Sequence, residues 1–195
     1  MSGRKLMKLA GAALLVVAVS PLAMAEGAAK KNVLTTNVFN LIVSTFGAEY
    51  EYINDPGMGI QGSFRYGSYK IGDYECSWPG VSAGVRFYPG KNAPTGMYWG
   101  PLLYAQFMSV TFPGTASGFN YTTMTWTYTA EETVSATFVG PMVELGYRWD
   151  WGGFAFSPSL QLGYLAGKAE NESGNASLSY GGFAWGVGLN CGVTF

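Results

Sequence analysis

Seven charged residues occupy positions that alternate with apolar residues along the chain. In extended strands all seven would therefore point to the face opposite the apolar one. They are Glu49, Glu51, Arg65, Arg86, Glu144, Arg148 and Asp150. Carboxylate and guanidinium groups on one enclosed face can line a narrow polar path or gate for ions. They can instead pair with one another and brace a filled interior, because buried charges persist only when they are paired. The second interpretation is favoured, since a small closed sheet leaves little lumen.

No residue pattern indicates catalysis. The chain has no histidine, and no spacing suggests a nucleophile with its base, a glycine-rich phosphate loop or a metal-ligand cluster. Charged residues are 12 % of the chain and no basic cluster is present, which argues against a nucleic-acid partner. The sequence therefore predicts a protein that is not an enzyme and that has no cofactor, no metal and no nucleic-acid partner.

A second group of candidate residues lies in a threonine-rich segment, residues 118–133, in which Met124, Trp126 and Tyr128 alternate with threonine. Alternation over this length predicts a hairpin that extends two strands. Its exposed edge could also pair with another protein's strand, and its aromatic residues could contact a surface partner. The sequence leaves both interpretations open.

The elements that carry these residues are strands with period-two alternation. In residues 183–195 every second residue is apolar and the residues between are small and uncharged. Residues 79–88, 100–107, 140–147 and 157–164 repeat the apolar alternation, with mostly small or polar residues between. A soluble sandwich would place charged side chains on its second face. Small residues instead fit the interior of a closed barrel, with the apolar face against lipid.

The predicted fold is all-β: a closed, antiparallel, up-and-down transmembrane barrel of eight strands. The predicted strands are 33–42, 45–53, 58–69, 78–89, 97–112, 134–150, 153–167 and 179–195. Short turns at 54–57, 89–96 and 150–153 would face the periplasm, and 70–77, 113–133 and 168–178 would be outer loops. The first strand alternates poorly, so an alternative replaces it with residues 121–129.

The first 25 residues have a different character. A positive segment, a short apolar run and a small-x-small site at Ala23-Met24-Ala25 predict a cleaved secretory signal peptide, residues 1–25, followed by a barrel domain, residues 26–195. The two cysteines, Cys76 and Cys191, would lie a membrane thickness apart, so no disulfide bond is expected between them.

The chain resembles small outer-membrane β-barrels of Gram-negative bacteria, of the OmpX and OmpA-barrel type. The resemblance is carried by the predicted signal peptide, the alternating strands and the final aromatic residue, Phe195. The opening segment, "KKNVLTTNVFNLIVSTFGAEYEY" at 30–52, is similar to uncharacterised outer-membrane barrels grouped as a domain of unknown function. The resemblance implies an outer-membrane location, contact with lipid and lipopolysaccharide, a monomer, and reading of Phe195 by the barrel-assembly machinery. Enzymatic barrels of this size use a histidine, so none of their catalytic residues carries over.

The predicted function is that of a non-enzymatic outer-membrane barrel, either structural or surface-binding through its outer loops. The alternative is a narrow porin-like channel for ions or small solutes. The inward-facing charges suggest this alternative, because they could line a polar path.

Overall fold

The protein is all-β, and its main element is one antiparallel sheet of nine strands whose pairings close in a ring. This computed structural model describes residues 31–42, 44–114, 116–120, 125–128, 131–171 and 177–195. The predicted signal peptide, residues 1–25, lies outside the described residues. No helix in the described part of the chain is long and apolar enough to cross a membrane.

The elements follow one another with short connections. In chain order they are β1 (Asn32–Asn37), α1 (Val38–Ile42), β2 (Thr45–Asp55), β3 (Met58–Ile71), β4 (Tyr74–Ser77), β5 (Gly80–Phe87), β6 (Gly96–Phe112), β7 (Ala116–Asn120), β8 (Thr125–Tyr128), β9 (Glu132–Trp151), β10 (Phe154–Asn171) and β11 (Ser177–Thr194).

The ring has eight positions, because β4 and β5 share the one between β3 and β6. The interruption falls at Trp78 and Pro79, where proline has no N–H to donate to a sheet. The Trp78 backbone N–H donates instead to the Gly67 carbonyl at 2.9 Å, and its indole donates to Thr45 Oγ1 at 2.9 Å. Part of the predicted loop 70–77 is therefore strand: β3 continues to Ile71 and β4 pairs beside it.

The first strand is shorter than predicted. β1 ends at Asn37 because the Asn37 side-chain oxygen accepts a hydrogen bond from the Phe39 N–H at 2.9 Å, which turns the chain into α1. β1 nevertheless pairs with β2 and β11 and closes the ring. Of the alternative strand at 121–129, the described part is β8, which pairs with β7 in a separate two-stranded sheet and not in the ring.

The two ends of the ring differ. At one end, the turn end, lie Lys31, Phe195 and the short connections, and at the other, the loop end, the strands are uneven. β6 pairs with β9 as far as Phe112 opposite Glu132, and β10 with β11 as far as Glu170 opposite Ser177. The predicted outer loops at 113–133 and 168–178 are thus partly strand.

One edge of β11 is left open. β1 pairs with β11 only from Val33 to Asn37, opposite Thr194 to Asn190. From Ser177 to Leu189, β11 pairs with β10 on one side, and no strand among the described residues pairs with it on the other. We call this stretch the free edge.

Polarity is inverted relative to a soluble protein. The large apolar side chains point out of the ring: Leu103, Val143 and Trp185 are 59 %, 51 % and 68 % exposed. The largest fully buried side chains are instead Arg86, Arg148, Tyr88, Tyr98, Glu51 and Glu144. The apolar alternation predicted from the sequence therefore faces outward, as expected. Cys76 and Cys191 are both free thiols.

Candidate functional site

Five of the predicted interior charges meet inside the ring near its turn end. β2 supplies Glu49 and Glu51, β5 supplies Arg86, and β9 supplies Glu144 and Arg148. Successive side chains of a strand point to opposite faces, so these residues face inward while neighbours such as Tyr50, Val143 and Leu145 face outward. We call these five residues the charge cluster.

Arg86 is the centre of the cluster and contacts all three carboxylates. Its Nη1 lies 2.7 Å from both Glu49 Oε1 and Glu51 Oε2. Its Nε donates to Glu144 Oε2 at 2.8 Å, and its Nη2 lies 2.7 Å from the same oxygen. The planar guanidinium group can form two such hydrogen bonds side by side, and these charge-assisted bonds are stronger than hydrogen bonds between neutral groups.

Arg148 joins the cluster from the next layer toward the turn end. Its Nη1 donates to Glu51 Oε2 at 2.8 Å and to the Tyr88 hydroxyl at 3.0 Å. The Tyr88 hydroxyl in turn donates to Glu51 Oε1 at 2.7 Å. Both carboxylate oxygens of Glu51 are therefore occupied, which is what removal of this charge from water requires.

Neutral side chains complete the cluster. Gln61 and Gln161 donate to the two oxygens of Glu144 at 3.0 Å and 3.2 Å. The Tyr98 ring lies 4.5 Å from the Arg86 guanidinium carbon and 5.5 Å from that of Arg148, within the range of cation–π attraction. These partners were not singled out from the sequence, although their inward position in each strand's alternation was a signal that could have found them.

Glycine makes room for this packing. A Cβ on Gly59 would overlap the Glu51 carboxylate, and one on Gly146 would overlap the Tyr98 ring. Both glycines sit on the inward face, so the small residues that the sequence places there are needed to fit the larger ones around them.

The other predicted site residues lie apart from the cluster. Arg65 donates to Gln106 Oε1, and its guanidinium carbon lies 4.7 Å from the Tyr104 ring centre, nearer the loop end. Asp150 accepts from the Gly153 N–H at 2.9 Å and from Thr194 Oγ1 at 2.6 Å, at the turn between β9 and β10.

The end of the chain is held at β1, and two of the predicted surface residues lie on β8. The Phe195 carbonyl accepts from the Asn32 N–H at 2.9 Å, which ties the end of the chain to the start of β1. Trp126 and Tyr128 lie on β8, with their backbones opposite Phe119 and Ala116. Met124 lies outside the described residues.

A polar cavity of about 130 Å³ occupies the ring on the loop side of the charge cluster. We call it the loop-side cavity. Its lining includes Asn37, Glu49, Ser63, Arg65, Ser159 and Gln161. Chemically, the ring thus offers a sealed ionic cluster and, beside it, a polar chamber with a cation and a carboxylate on its wall.

Comparisons with known proteins give no relative: no family model, no curated protein and no solved structure matches the chain. Within the described residues, no group of three or more histidine, cysteine, aspartate or glutamate side chains is placed to hold a metal ion.

Proposed function

We propose that this chain is a non-enzymatic outer-membrane β-barrel protein, with eight strands crossing the membrane and with a structural or surface-binding role. The observation that carries the proposal is the inverted polarity of the ring. Burying arginine and glutamate while large apolar side chains stay outside is unfavourable in water, because apolar surface costs about 25 cal/mol per Å² exposed. The same arrangement is favourable when the outer face contacts hydrocarbon.

The closed pairing supports a membrane location. Backbone N–H and C=O groups within a bilayer must find partners inside the protein, so a spanning sheet has to close on itself. Here every ring strand has a neighbour on both sides over at least part of its length. Strands of 9–11 residues, tilted by about 45°, suffice to cross, and β6, β9, β10 and β11 all exceed that length.

Aromatic side chains at the turn end support the same location. Trp99, Trp149, Trp151 and Phe154 are exposed there, and Trp151 stacks between Trp149 and Phe154 with ring centres 6.3 Å apart in each case. Tryptophan and other aromatic residues are enriched where a membrane protein meets the lipid head groups. We infer that this belt marks the periplasmic interface.

The charge cluster favours a scaffold over the porin-like alternative. Arg86, Arg148 and Glu144 are fully buried, and their side chains fill the turn-end half of the interior. An open pore would leave such groups in contact with water. The proposed surface-binding role therefore belongs to the loop end, where the side chains of Leu178 and Tyr180 are exposed on β11.

The remaining proposals follow from the resemblance and from this location. The leader at 1–25 would direct export, and Phe195 would be read by the barrel-assembly machinery. Outer-membrane lipid and lipopolysaccharide would be the surrounding partners, and the protein would be a monomer. Contact of Met124, Trp126 and Tyr128 with a surface partner, as predicted from the sequence, also belongs to this proposal.

The test places one arginine on the outer face at two heights. Val143→Arg lies mid-strand on β9, where a lipid-facing charge costs about 2–4 kcal/mol. Leu178→Arg is the matched control, since Leu178 is also apolar and exposed but lies near the loop end of β11. The wild-type chain, expressed in a Gram-negative host, should fractionate with the outer membrane and migrate faster in gel electrophoresis before heating.

The expected result is a large loss of the fast-migrating form for Val143→Arg and little loss for Leu178→Arg. Recovery of wild-type protein in the soluble periplasm would overturn the proposal. Equal tolerance of both arginines would overturn it as well, because in water either substitution would only replace exposed apolar surface with charge.

A further inference from the structure

The loop-side cavity holds two opposite charges that do not meet. Arg65 on β3 and Glu49 on β2 both line it. Glu49 turns toward the charge cluster, where Arg86 holds its Oε1 at 2.7 Å, and Arg65 turns the other way, toward Gln106 and Tyr104. Among the described residues Arg65 forms no ion pair.

Two polar groups at this cavity lack a partner within the part of the chain that the structure describes. They are Arg65 Nε and Ser159 Oγ, and Ser159 is only 8 % exposed. A buried hydroxyl or guanidinium donor without a hydrogen bond is unfavourable by about 1–3 kcal/mol or more. Both groups therefore favour a bound molecule that supplies acceptors.

The charge balance restricts what that molecule is. The charge cluster has three carboxylates and two guanidinium groups, and Glu49 is its most exposed member, with 13 % of the side chain accessible. With Arg65, the cluster and the cavity wall carry three carboxylates and three guanidinium groups, while Asp150 lies apart at the turn end. A bound anion or a bound cation alone would break this balance in an enclosed space, where an unpaired charge is costly.

We propose that the loop-side cavity binds a small zwitterion, with an ammonium group facing Glu49 and an anionic group facing Arg65 and Ser159. This chemistry has two sources: a free amino acid, and the phosphoethanolamine head group of a lipid. A ligand of this class adds no net charge and supplies both missing contacts.

Beside this cavity the wall of the ring is completed by α1, which contacts β2 and β11, and not by a paired strand. Gly186, Val187 and Gly188 on the free edge line the cavity, and the described neighbour on that side is α1 rather than a strand. A tilted strand crosses a membrane in about 10 residues. Counted from the turn end of β11, such a span ends at Trp185. If the proposed function holds, most of the free edge therefore lies beyond the hydrocarbon, where water can pair with its backbone groups, and Gly186 to Gly188 lie near the head-group level, where a lipid head group can reach the cavity.

The binding experiment uses the full-length mature protein, refolded in octyl glucoside, a detergent without a zwitterionic head group. Calorimetric titration compares free glycine and glycerophosphoethanolamine, a phosphodiester without net charge, with acetate and methylammonium, which each carry one of the two charges. Each one-charge probe lacks one of the two hydrogen-bonded contacts to a charged side chain. We therefore expect it to bind at least about tenfold more weakly than the zwitterions.

Three variants tie the binding to the cavity. Arg65→Gln and Glu49→Gln should each weaken zwitterion binding about tenfold or more. Lys168→Gln and Glu170→Gln, which alter an exposed ion pair on β10, are the matched controls and should leave binding unchanged. Ser159→Ala removes a hydroxyl that has no partner, so it leaves folding intact and should still weaken binding severalfold.

Lipid nanodiscs separate the two sources. Binding of free glycine in detergent assigns the site to a soluble zwitterion. Binding of glycerophosphoethanolamine but not glycine, with perturbation of the Ser159 amide in phosphatidylethanolamine but not phosphatidylglycerol nanodiscs, assigns it to a lipid. Equal binding of acetate and glycine, or full binding by Arg65→Gln and Glu49→Gln, would overturn the proposal. Heat-dependent migration, read on the same samples, reports membrane-type folding separately.

Discussion

At the scale of the residue, Arg148 shows how much of the interior depends on charge pairing. Arg148→Met removes one of two guanidinium groups and leaves Glu51 with Arg86 and Tyr88. Breaking a buried pair by removing one partner costs about 3–5 kcal/mol. We therefore expect the free energy of unfolding, measured by urea titration in lipid vesicles, to fall by about that amount.

Lys168→Met is the control for that measurement. Lys168 pairs with Glu170 on the outside of β10, with 55 % of its side chain accessible. An exposed pair contributes about 0–1 kcal/mol, so this variant should unfold almost as the wild type does. Similar losses for the two variants would show that the cluster is not a stabilising network.

Alternation in the sequence predicts the face of a charged residue but not its height or its partners. Arg65 and Arg86 were both expected inside, yet Arg86 meets three glutamates while Arg65 turns toward Gln106. Register between strands decides this: Arg86 lies opposite Gly59, and Arg65 lies opposite Gly47 and Gly80. Such pairing depends on contacts distant in sequence, so one strand's pattern cannot supply it.

At the scale of the element, strand identity was predictable and strand length was not. The alternation of β9 and β10 is long and unambiguous, and both strands are present, though longer than predicted. β1 is different, because a single side-chain contact from Asn37 to the Phe39 N–H ends it and begins α1. Asparagine has this capacity in many contexts, so its use here was visible only in the structure.

The short β1 leads to a prediction about the free edge. Amides of residues 178–188 that point away from β10 have no strand partner among the described residues. Local opening sets the rate of hydrogen exchange. We expect these alternate amides to exchange on the order of a hundredfold faster than their neighbours, as measured by NMR in detergent micelles.

β10 supplies the internal control, because residues 159–163 lie between β9 and β11 and pair with both. Their amides should all be protected. Uniform protection along 178–188 would contradict the open edge and would indicate that some part of the chain covers it.

At the scale of the whole molecule, the sheet sorts residues by polarity in the sense opposite to that of a soluble fold. Val187, Leu145 and Leu160 would meet in a common core if this were a sandwich, but they are 58 %, 44 % and 37 % exposed on the outer face. The period-two pattern was sufficient to predict two chemically different faces. The small size of the residues between the apolar ones predicted which face turns inward, whereas closure of the ring itself depends on all eight positions together.

The same sorting gives a prediction about conduction. The charge cluster fills the turn-end half of the ring with fully buried side chains, so the wild-type protein should give no stepwise conductance in planar lipid bilayers. The double variant Arg86→Ala with Glu144→Ala removes one cation and one anion, which leaves the net charge unchanged while it shortens the two side chains that meet at 2.7 Å. Because ion passage requires a continuous wet path, conductance should appear only in this variant. A wild type that conducts as well as the double variant would instead assign the protein to the channel class, since the cluster would then be no barrier.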